Sequence, residues 1–163
     1  ASSAGVCQIA NDNGGGQVVI SGSKDAVEKA VGIATEKGAK RALLLPVSAP
    51  FHCALMAPAA DAMEEALAEV RRGEPVVPVI ANVRAAPVSD PDEITKLLVE
   101  QVTGRVRWRE TVSWFATNEI ETLYEVGAGK VLTGLARRIE RSLSGVAINA
   151  PGDIDAALKA IKG

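Results

Sequence analysis

Residues Val47–Met56 read VSAPFHCALM and contain His52, the only histidine among the 163 residues of the chain. The apolar stretch Arg41–Val47 before it is typical of a strand, and the pattern over Ala54–Arg72 after it is typical of an amphipathic helix. In α/β folds, turns at strand ends present reactive groups, and imidazole exchanges protons near neutral pH. His52 is therefore a candidate general base, although a lone histidine is at least as often a surface or core residue.

Apolar strand patterns and amphipathic helix patterns alternate along the rest of the chain. Strands are predicted at Val6–Ala10, Gln17–Ser21, Arg41–Val47, Val76–Ala81, Thr122–Val126 and Gly145–Ile148. Helices are predicted after Ser23, over Ala54–Arg72, after Asp90, over Trp108–Ala116, from Val131, and over Asp153–Ile161. The alternation predicts α/β architecture with a largely parallel sheet, and the opening hairpin and helix predict a small, separate α+β piece.

The composition narrows the class of protein. A hydrophobic content of 47% is enough for a core, and a net charge of −2 gives no reason to expect nucleic acid as a partner. The two cysteines, Cys7 and Cys53, lie in separate segments, which favours reduced thiols in a cytoplasmic protein. No apolar run approaches the length that spans a bilayer, so no membrane partner is expected.

A base needs a nucleophile, and the residues near His52 do not supply a convincing one. Cys53 is its direct neighbour, and adjacent side chains in a turn rarely converge. Ser48 lacks the flanking glycines of a nucleophile elbow, and no G-x-S-x-G pattern occurs in the chain. The segment Gly127–Lys130 lacks the spacing of a Walker A loop and is predicted to be a strand-to-helix turn.

Three further segments accompany the histidine segment, in the order NDN (Asn11–Asn13) followed by GQVVISG (Gly16–Gly22), Gln101 seven residues before Trp108, and YEVGAGKVLTGL (Tyr124–Leu135). Together with VSAPFHCALM they resemble the bacterial malonyl-CoA:acyl carrier protein transacylases. Ala128 stands where that family usually has a proline in its Gly-Pro-Gly-Lys turn. The resemblance extends over nearly the whole chain, and four motifs in one order are far more specific than any single motif.

The resemblance implies an α/β-hydrolase-like core and a small ferredoxin-like subdomain. Residues 1–48 would belong to the small subdomain and residues 49–163 to the large one. The implied reaction transfers a malonyl group from coenzyme A to a serine, and then to the phosphopantetheine thiol of acyl carrier protein. Malonyl-CoA is thus an expected substrate, acyl carrier protein an expected partner, and no metal or permanently bound cofactor is expected.

The same resemblance assigns roles to individual residues. His52 would be the general base, and the backbone carbonyl of Gln101 would hold its imidazole. The residues expected to line or shape the substrate cleft are Asn11, Asn13 and Gln17. A basic cluster is a candidate docking site for acyl carrier protein, although a solvated helix end and strand start explains it more readily; its members are Lys37, Lys40 and Arg41.

Parts of the family pattern are absent from this sequence. The Gly-His-Ser-Leu-Gly motif with the nucleophile is missing, as are the N-terminal Gly-Gln-Gly-Ser segment and the arginine that binds the malonyl carboxylate. The chain is therefore expected to be a C-terminal portion that is inactive without a complementary N-terminal part. Two alternatives remain: an acyltransferase of polyketide type with another acyl preference, and a non-catalytic module that docks carrier protein.

Overall fold

The structure is a computed structural model that describes residues 2–162. These residues divide into two compact units. The first comprises the chain up to Asp12 together with Gln17–Trp108, and the second comprises Asn13–Gly16 together with the chain from Arg109 onward. The predicted subdomain boundary between residues 48 and 49 stays a prediction.

The first unit opens with the predicted hairpin. Strands β1 (Cys7–Asp12) and β2 (Val18–Gly22) are antiparallel, and the pairing is irregular between Ile9 and Asn11. Helix α1 (Lys24–Glu36) follows, and Ser23 occupies its N-cap position. The Ser23 hydroxyl donates a hydrogen bond to the carbonyl of Val6 instead of capping the helix, which ties the helix start to the hairpin.

The predicted strand at Arg41–Val47 was wrong, because this segment has no regular secondary structure. A strand is defined by its partner, and no described residue pairs with this segment. Its leucines, Leu43–Leu45, are about half exposed. After the histidine turn, a short 3-10 turn at Ala54–Met56 leads into helix α2 (Ala57–Ala68).

The next predicted strand is shorter than expected. Only Val79–Ala81 forms β3, since Pro78 has no N–H to donate and the residues before it are exposed. Strand β4 (Ala86–Val88), which lies in a segment predicted as a loop, pairs antiparallel with β3. Helix α3 (Pro91–Thr103) then begins at the predicted N-cap, where the Asp90 carboxylate accepts a hydrogen bond from the Glu93 N–H.

The second unit follows the predicted alternation of helix and strand. Its elements are α4 (Trp108–Thr117), β5 (Thr122–Val126), α5 (Val131–Ile139), β6 (Ser144–Ile148) and α6 (Ile154–Lys162). Strands β5 and β6 are parallel, and α5 lies in the crossover connection that a parallel pair needs. Its buried side chains include Val112, Leu135, Leu143 and Ala157. The mixed α/β class is confirmed.

No helix in the described part of the chain is long and apolar enough to cross a membrane.

Candidate active site

His52 and Gln101 meet within the first unit. The His52 Nδ1 atom lies 2.9 Å from the backbone carbonyl oxygen of Gln101. A carbonyl can only accept, so the proton of this bond must reside on Nδ1. The other ring nitrogen, Nε2, is then unprotonated in the neutral imidazole and is available as a proton acceptor.

The Gln101 carbonyl is available because helix α3 ends there. Carbonyls in the last turn of a helix have no intrahelical partner. Gly104 leaves the helix with an extended backbone, while its N–H still bonds to the Glu100 carbonyl at 2.8 Å. A Cβ atom at position 104 would lie 2.8 Å from both the Glu100 oxygen and a methyl group of Val83, so only glycine fits this close approach.

The Gln101 side chain stabilises the same helix end. Its Nε2 amide donates to the Gly104 carbonyl at 2.8 Å, which fixes the orientation of the amide. Its Oε1 atom is buried and accepts no hydrogen bond from the described residues. Gln101 therefore holds the imidazole with its backbone and the following loop with its side chain.

The histidine turn has a strained backbone. His52 has φ of 59°, in the left-handed region, which costs a residue with a side chain about 1–3 kcal/mol. The adjacent Cys53 is fully buried, and its thiol donates to the Pro50 carbonyl at 3.1 Å. Cys53 is thus part of the packing of the turn, and its hydrogen bond helps to hold the strained conformation.

Strand β1 contacts both segments of this site, which the sequence did not indicate. The Gln8 Oε1 atom accepts a hydrogen bond from the Ala54 N–H at 2.7 Å, two residues after the histidine. Farther along β1, the backbone groups of Ala10 and Asp12 form hydrogen bonds of 2.8 and 2.9 Å with the backbone of Val106, which follows α3. A glutamine in a strand has no periodicity or motif that would single it out, so only the structure reveals these contacts.

The other residues predicted to belong to the site are distributed over both units. Asn11 is half-buried in β1 and forms a parallel bridge with Val106. Gln17 is exposed and directly precedes β2, and Asn13 falls in the second unit. No hydrogen bond links any of the three to His52 in the described part of the chain, and their role in a cleft stays a prediction. Ser48 is exposed and likewise does not bond to His52 within residues 2–162.

The predicted basic cluster lies at the end of α1 and in the segment after it. Its members Lys37, Lys40 and Arg41 are all exposed. None of them forms an ion pair with another described residue, and the acidic Glu36 is their immediate neighbour. The charges of the cluster therefore face solvent, and its docking role stays a prediction.

In the second unit, the segment Gly127–Lys130 is the predicted turn between a strand and a helix. Gly127 and Gly129 have φ of 137° and 96°, which glycine adopts without strain. The Glu125 carboxylate accepts hydrogen bonds from the N–H groups of Thr133 and Leu132 at 2.8 and 3.0 Å. These bonds, that of Thr133 most of all, hold the pKa of Glu125 below its ordinary value of 4.5.

Among the residues that the structure describes, no group of three or more histidine, cysteine, aspartate or glutamate side chains is placed to hold a metal ion. At the His52 site the structure places an oriented imidazole whose Nε2 atom is available as a proton acceptor.

The chain is similar in sequence to bacterial malonyl CoA-acyl carrier protein transacylases. The malonyl CoA-acyl carrier protein transacylase of Escherichia coli K12 is 48% identical over 149 residues, which cover 91% of this chain and 48% of that protein. The enzyme of the same name from Bacillus subtilis is 41% identical over 155 residues, covering 95% of this chain and 49% of that protein. The chain thus spans about half the length of these relatives. No protein-family model matches it.

Solved structures show the same similarity. An acyl-carrier-protein-S-malonyltransferase from Bartonella henselae has a TM-score of 0.94 and 59% identity, covering 99% of this chain and 52% of that one. A malonyl-transacylase in complex with the acyl-carrier protein of a type II polyketide synthase has a TM-score of 0.91 and 42% identity, with coverage of 98% and 52%. The predicted α/β-hydrolase-like fold class is confirmed by this likeness.

Proposed function

Because the chain is homologous to malonyl CoA-acyl carrier protein transacylases over about half of their length, we propose that it supplies the general base of malonyl transfer. The observation that carries the proposal is the hydrogen bond from His52 Nδ1 to the Gln101 carbonyl, which leaves Nε2 free. A base of this kind acts only if its unprotonated nitrogen reaches the proton of a nucleophile.

In the proposed reaction the nucleophile is a serine of a complementary polypeptide segment. His52 Nε2 takes the serine proton while the serine oxygen attacks the thioester carbonyl of malonyl-CoA. The tetrahedral intermediate collapses, the C–S bond breaks, and the imidazolium returns the proton to the departing thiolate of coenzyme A. In the second half-reaction His52 takes the proton of the phosphopantetheine thiol of acyl carrier protein, and the sulfur attacks the carbonyl of the malonyl-serine ester. The C–O bond to the serine then breaks, and the imidazolium returns the proton to the serine oxygen.

The role of the Gln101 carbonyl is to orient the His52 imidazole. It is a neutral acceptor, so it stabilises the imidazolium less than a buried carboxylate would. It nevertheless fixes the tautomer and the plane of the ring, as the hydrogen-bond partner of a catalytic histidine does in other hydrolases and acyltransferases. The proposed base therefore depends on the position of the end of α3.

A complementary N-terminal part is proposed for two reasons. The relatives are about twice as long as this chain. The first unit also exposes apolar side chains that a soluble domain ordinarily covers, with Leu43–Leu45 about half exposed and Val76 fully exposed. A segment that pairs with Arg41–Val47 would cover these leucines and supply the strand partner that this segment lacks among the described residues.

The remaining roles are extensions of the same proposal. The cleft would be lined or shaped by Asn11, Asn13 and Gln17, and the docking site for acyl carrier protein by Lys37, Lys40 and Arg41. Malonyl-CoA is the proposed substrate and the cytoplasm the proposed compartment. The boundary at residues 48 and 49 would separate the two subdomains of the assembled enzyme.

A carrier protein of polyketide synthesis is the second candidate for the acceptor of the malonyl group. One similar structure is a malonyl-transacylase bound to a type II polyketide acyl-carrier protein, and a polyketide biosynthesis protein of Burkholderia thailandensis is 38% identical over 131 residues.

A module that only docks carrier protein would not need the hydrogen bond from His52 to Gln101 that orients the imidazole. The strained, ordered histidine turn therefore favours catalysis over docking alone.

Reconstitution tests the proposal. The chain is combined with the complementary N-terminal segment of the Bartonella henselae enzyme, and malonyl transfer to fatty-acid and polyketide carrier proteins is measured. We expect transfer by the combined halves and none by either half alone. Binding of carrier protein by the chain without transfer by the combination would favour the docking module instead.

A further inference from the structure

We infer that strand β1 sets the orientation of the His52 imidazole, with Gln8 as the positioning residue. This inference rests on the proposed function, because it identifies what holds the proposed base in place. Two segments carry the imidazole and its acceptor, and β1 hydrogen-bonds to both of them. All the residues concerned lie in the first unit.

The first attachment is at the histidine turn. The Gln8 Oε1 atom lies 2.7 Å from the backbone nitrogen of Ala54, across 46 positions of sequence. Ala54 begins the short 3-10 turn that leads into α2, and the first N–H groups of such an element lack partners within it. Gln8 thus satisfies a free donor and holds the chain directly after His52 and Cys53.

The second attachment is beside the acceptor. Backbone hydrogen bonds join Val106 to Ala10 and Asp12, and Val106 follows Gly104 by two residues. Gly104 in turn accepts the hydrogen bond from the Gln101 side chain. The strand therefore braces the loop that follows α3, whose last turn supplies the carbonyl bonded to His52.

The strain at His52 makes the first attachment consequential. A histidine with φ of 59° relaxes toward ordinary backbone angles unless its neighbours hold it. On one side the Cys53 thiol bonds to Pro50, and on the other side Gln8 bonds to Ala54. If the Gln8 bond is lost, the turn gains freedom and the Nδ1 atom moves away from the Gln101 carbonyl in part of the population.

The test uses the fact that the chain has one histidine. The chain is labelled with ¹⁵N and, if needed for solubility, assembled with an unlabelled complementary part, so that the imidazole nitrogens observed are those of His52. Long-range ¹H–¹⁵N correlations then give the ratio of the Nδ1–H tautomer to the Nε2–H tautomer. We expect the Nδ1–H form to predominate in the unmodified chain.

The informative variant is Gln8→Leu, which keeps the size of the side chain and removes the acceptor. Its tautomer ratio should fall by about two- to tenfold, the factor that corresponds to the net contribution of one hydrogen bond. Gln8→Glu keeps an acceptor oxygen and should restore the ratio. Ser21→Ala changes the residue opposite Gln8 on the hairpin and should leave the ratio unchanged.

Two results would overturn the inference: an unchanged ratio in Gln8→Leu, or an equal fall in Ser21→Ala. If Gln8→Leu does not fold, hydrogen exchange of the Ala54 amide in the unmodified chain tests whether the Gln8–Ala54 hydrogen bond exists. Protection of that amide supports the bond, and exchange at the rate of an unfolded peptide refutes it. Because these measurements involve no substrate, their outcome is independent of whether the reconstituted enzyme transfers malonyl groups.

Discussion

At His52, one hydrogen bond determines which ring nitrogen is available for chemistry. The bond from Nδ1 to the Gln101 carbonyl leaves Nε2 as the acceptor. The sequence indicated His52 as a lone histidine at a turn, and it indicated Gln101 through the resemblance to the transacylase family. It did not indicate Gln8, since a hydrogen bond across 46 positions depends on how β1 and the histidine turn are placed in three dimensions.

Glu125 illustrates a second residue whose role is visible only in the structure. Its carboxylate caps the start of α5 from the end of β5 by accepting the N–H groups of Thr133 and Leu132. A capping residue normally lies next to the helix, whereas this one lies across the glycine turn. The turn is therefore held by a charged acceptor as well as by its glycines.

Replacing Glu125 by Gln should destabilise the protein in a pH-dependent manner. Since the pKa of Glu125 is lowered in the folded state, its stabilisation is present above the unfolded-state value of about 4.5 and is lost as the pH falls through the folded-state pKa. The difference in unfolding midpoint between the two proteins should therefore narrow below about pH 4.5. Denaturant titrations at neutral and acidic pH measure this difference.

The matched control is Glu121→Gln, which makes the same change of charge one residue before β5. It should show a smaller loss of stability at neutral pH than Glu125→Gln. A difference for Glu125→Gln that is equal at all pH values would contradict the capping role of the ionised carboxylate.

At the scale of elements, strands were predicted less well than helices. Helices satisfy their own backbone hydrogen bonds, and their starts were marked by local residues such as Asp90. Strands depend on partners that the sequence does not name. Arg41–Val47 has the composition of a strand and no partner in the described structure, whereas β4 formed in a predicted loop because β3 lies beside it.

The exposed end of α1 carries the proposed docking function. Reversing the three charges of the basic cluster should raise the KM for acyl carrier protein by about tenfold and weaken its dependence on salt, because each rim charge contributes modestly to association. Acylation by malonyl-CoA should be unaffected, since the cluster is not part of the His52 site. The substitutions are Lys37→Glu, Lys40→Glu and Arg41→Glu.

The control for that experiment reverses three other exposed cations, Lys24, Lys159 and Lys162. If both sets of reversals change the KM equally, the effect reflects net charge, and the docking site lies elsewhere.

At the scale of the whole molecule, the chain spans about half the length of the malonyl CoA-acyl carrier protein transacylases that it resembles. The sequence predicted the fold class and the family, because four motifs occur in one order. The expectation of a missing part implied an exposed apolar face, but the sequence did not identify the residues that form it. Val76, Val77 and the leucines of Arg41–Val47, all predicted within strands, are exposed to solvent. Burial of apolar side chains is the main source of stability, so such a surface is expected to be covered in the working protein.

The central claim is that His52 is the base that activates a serine of the complementary part. The most direct measurement is the single-turnover rate at which malonyl-CoA acylates that serine in the assembled protein. For His52→Ala we predict a rate about 10²–10⁴-fold below that of the unmodified protein, with Ser48→Ala remaining near the unmodified rate. An unchanged acylation rate in His52→Ala would contradict the claim.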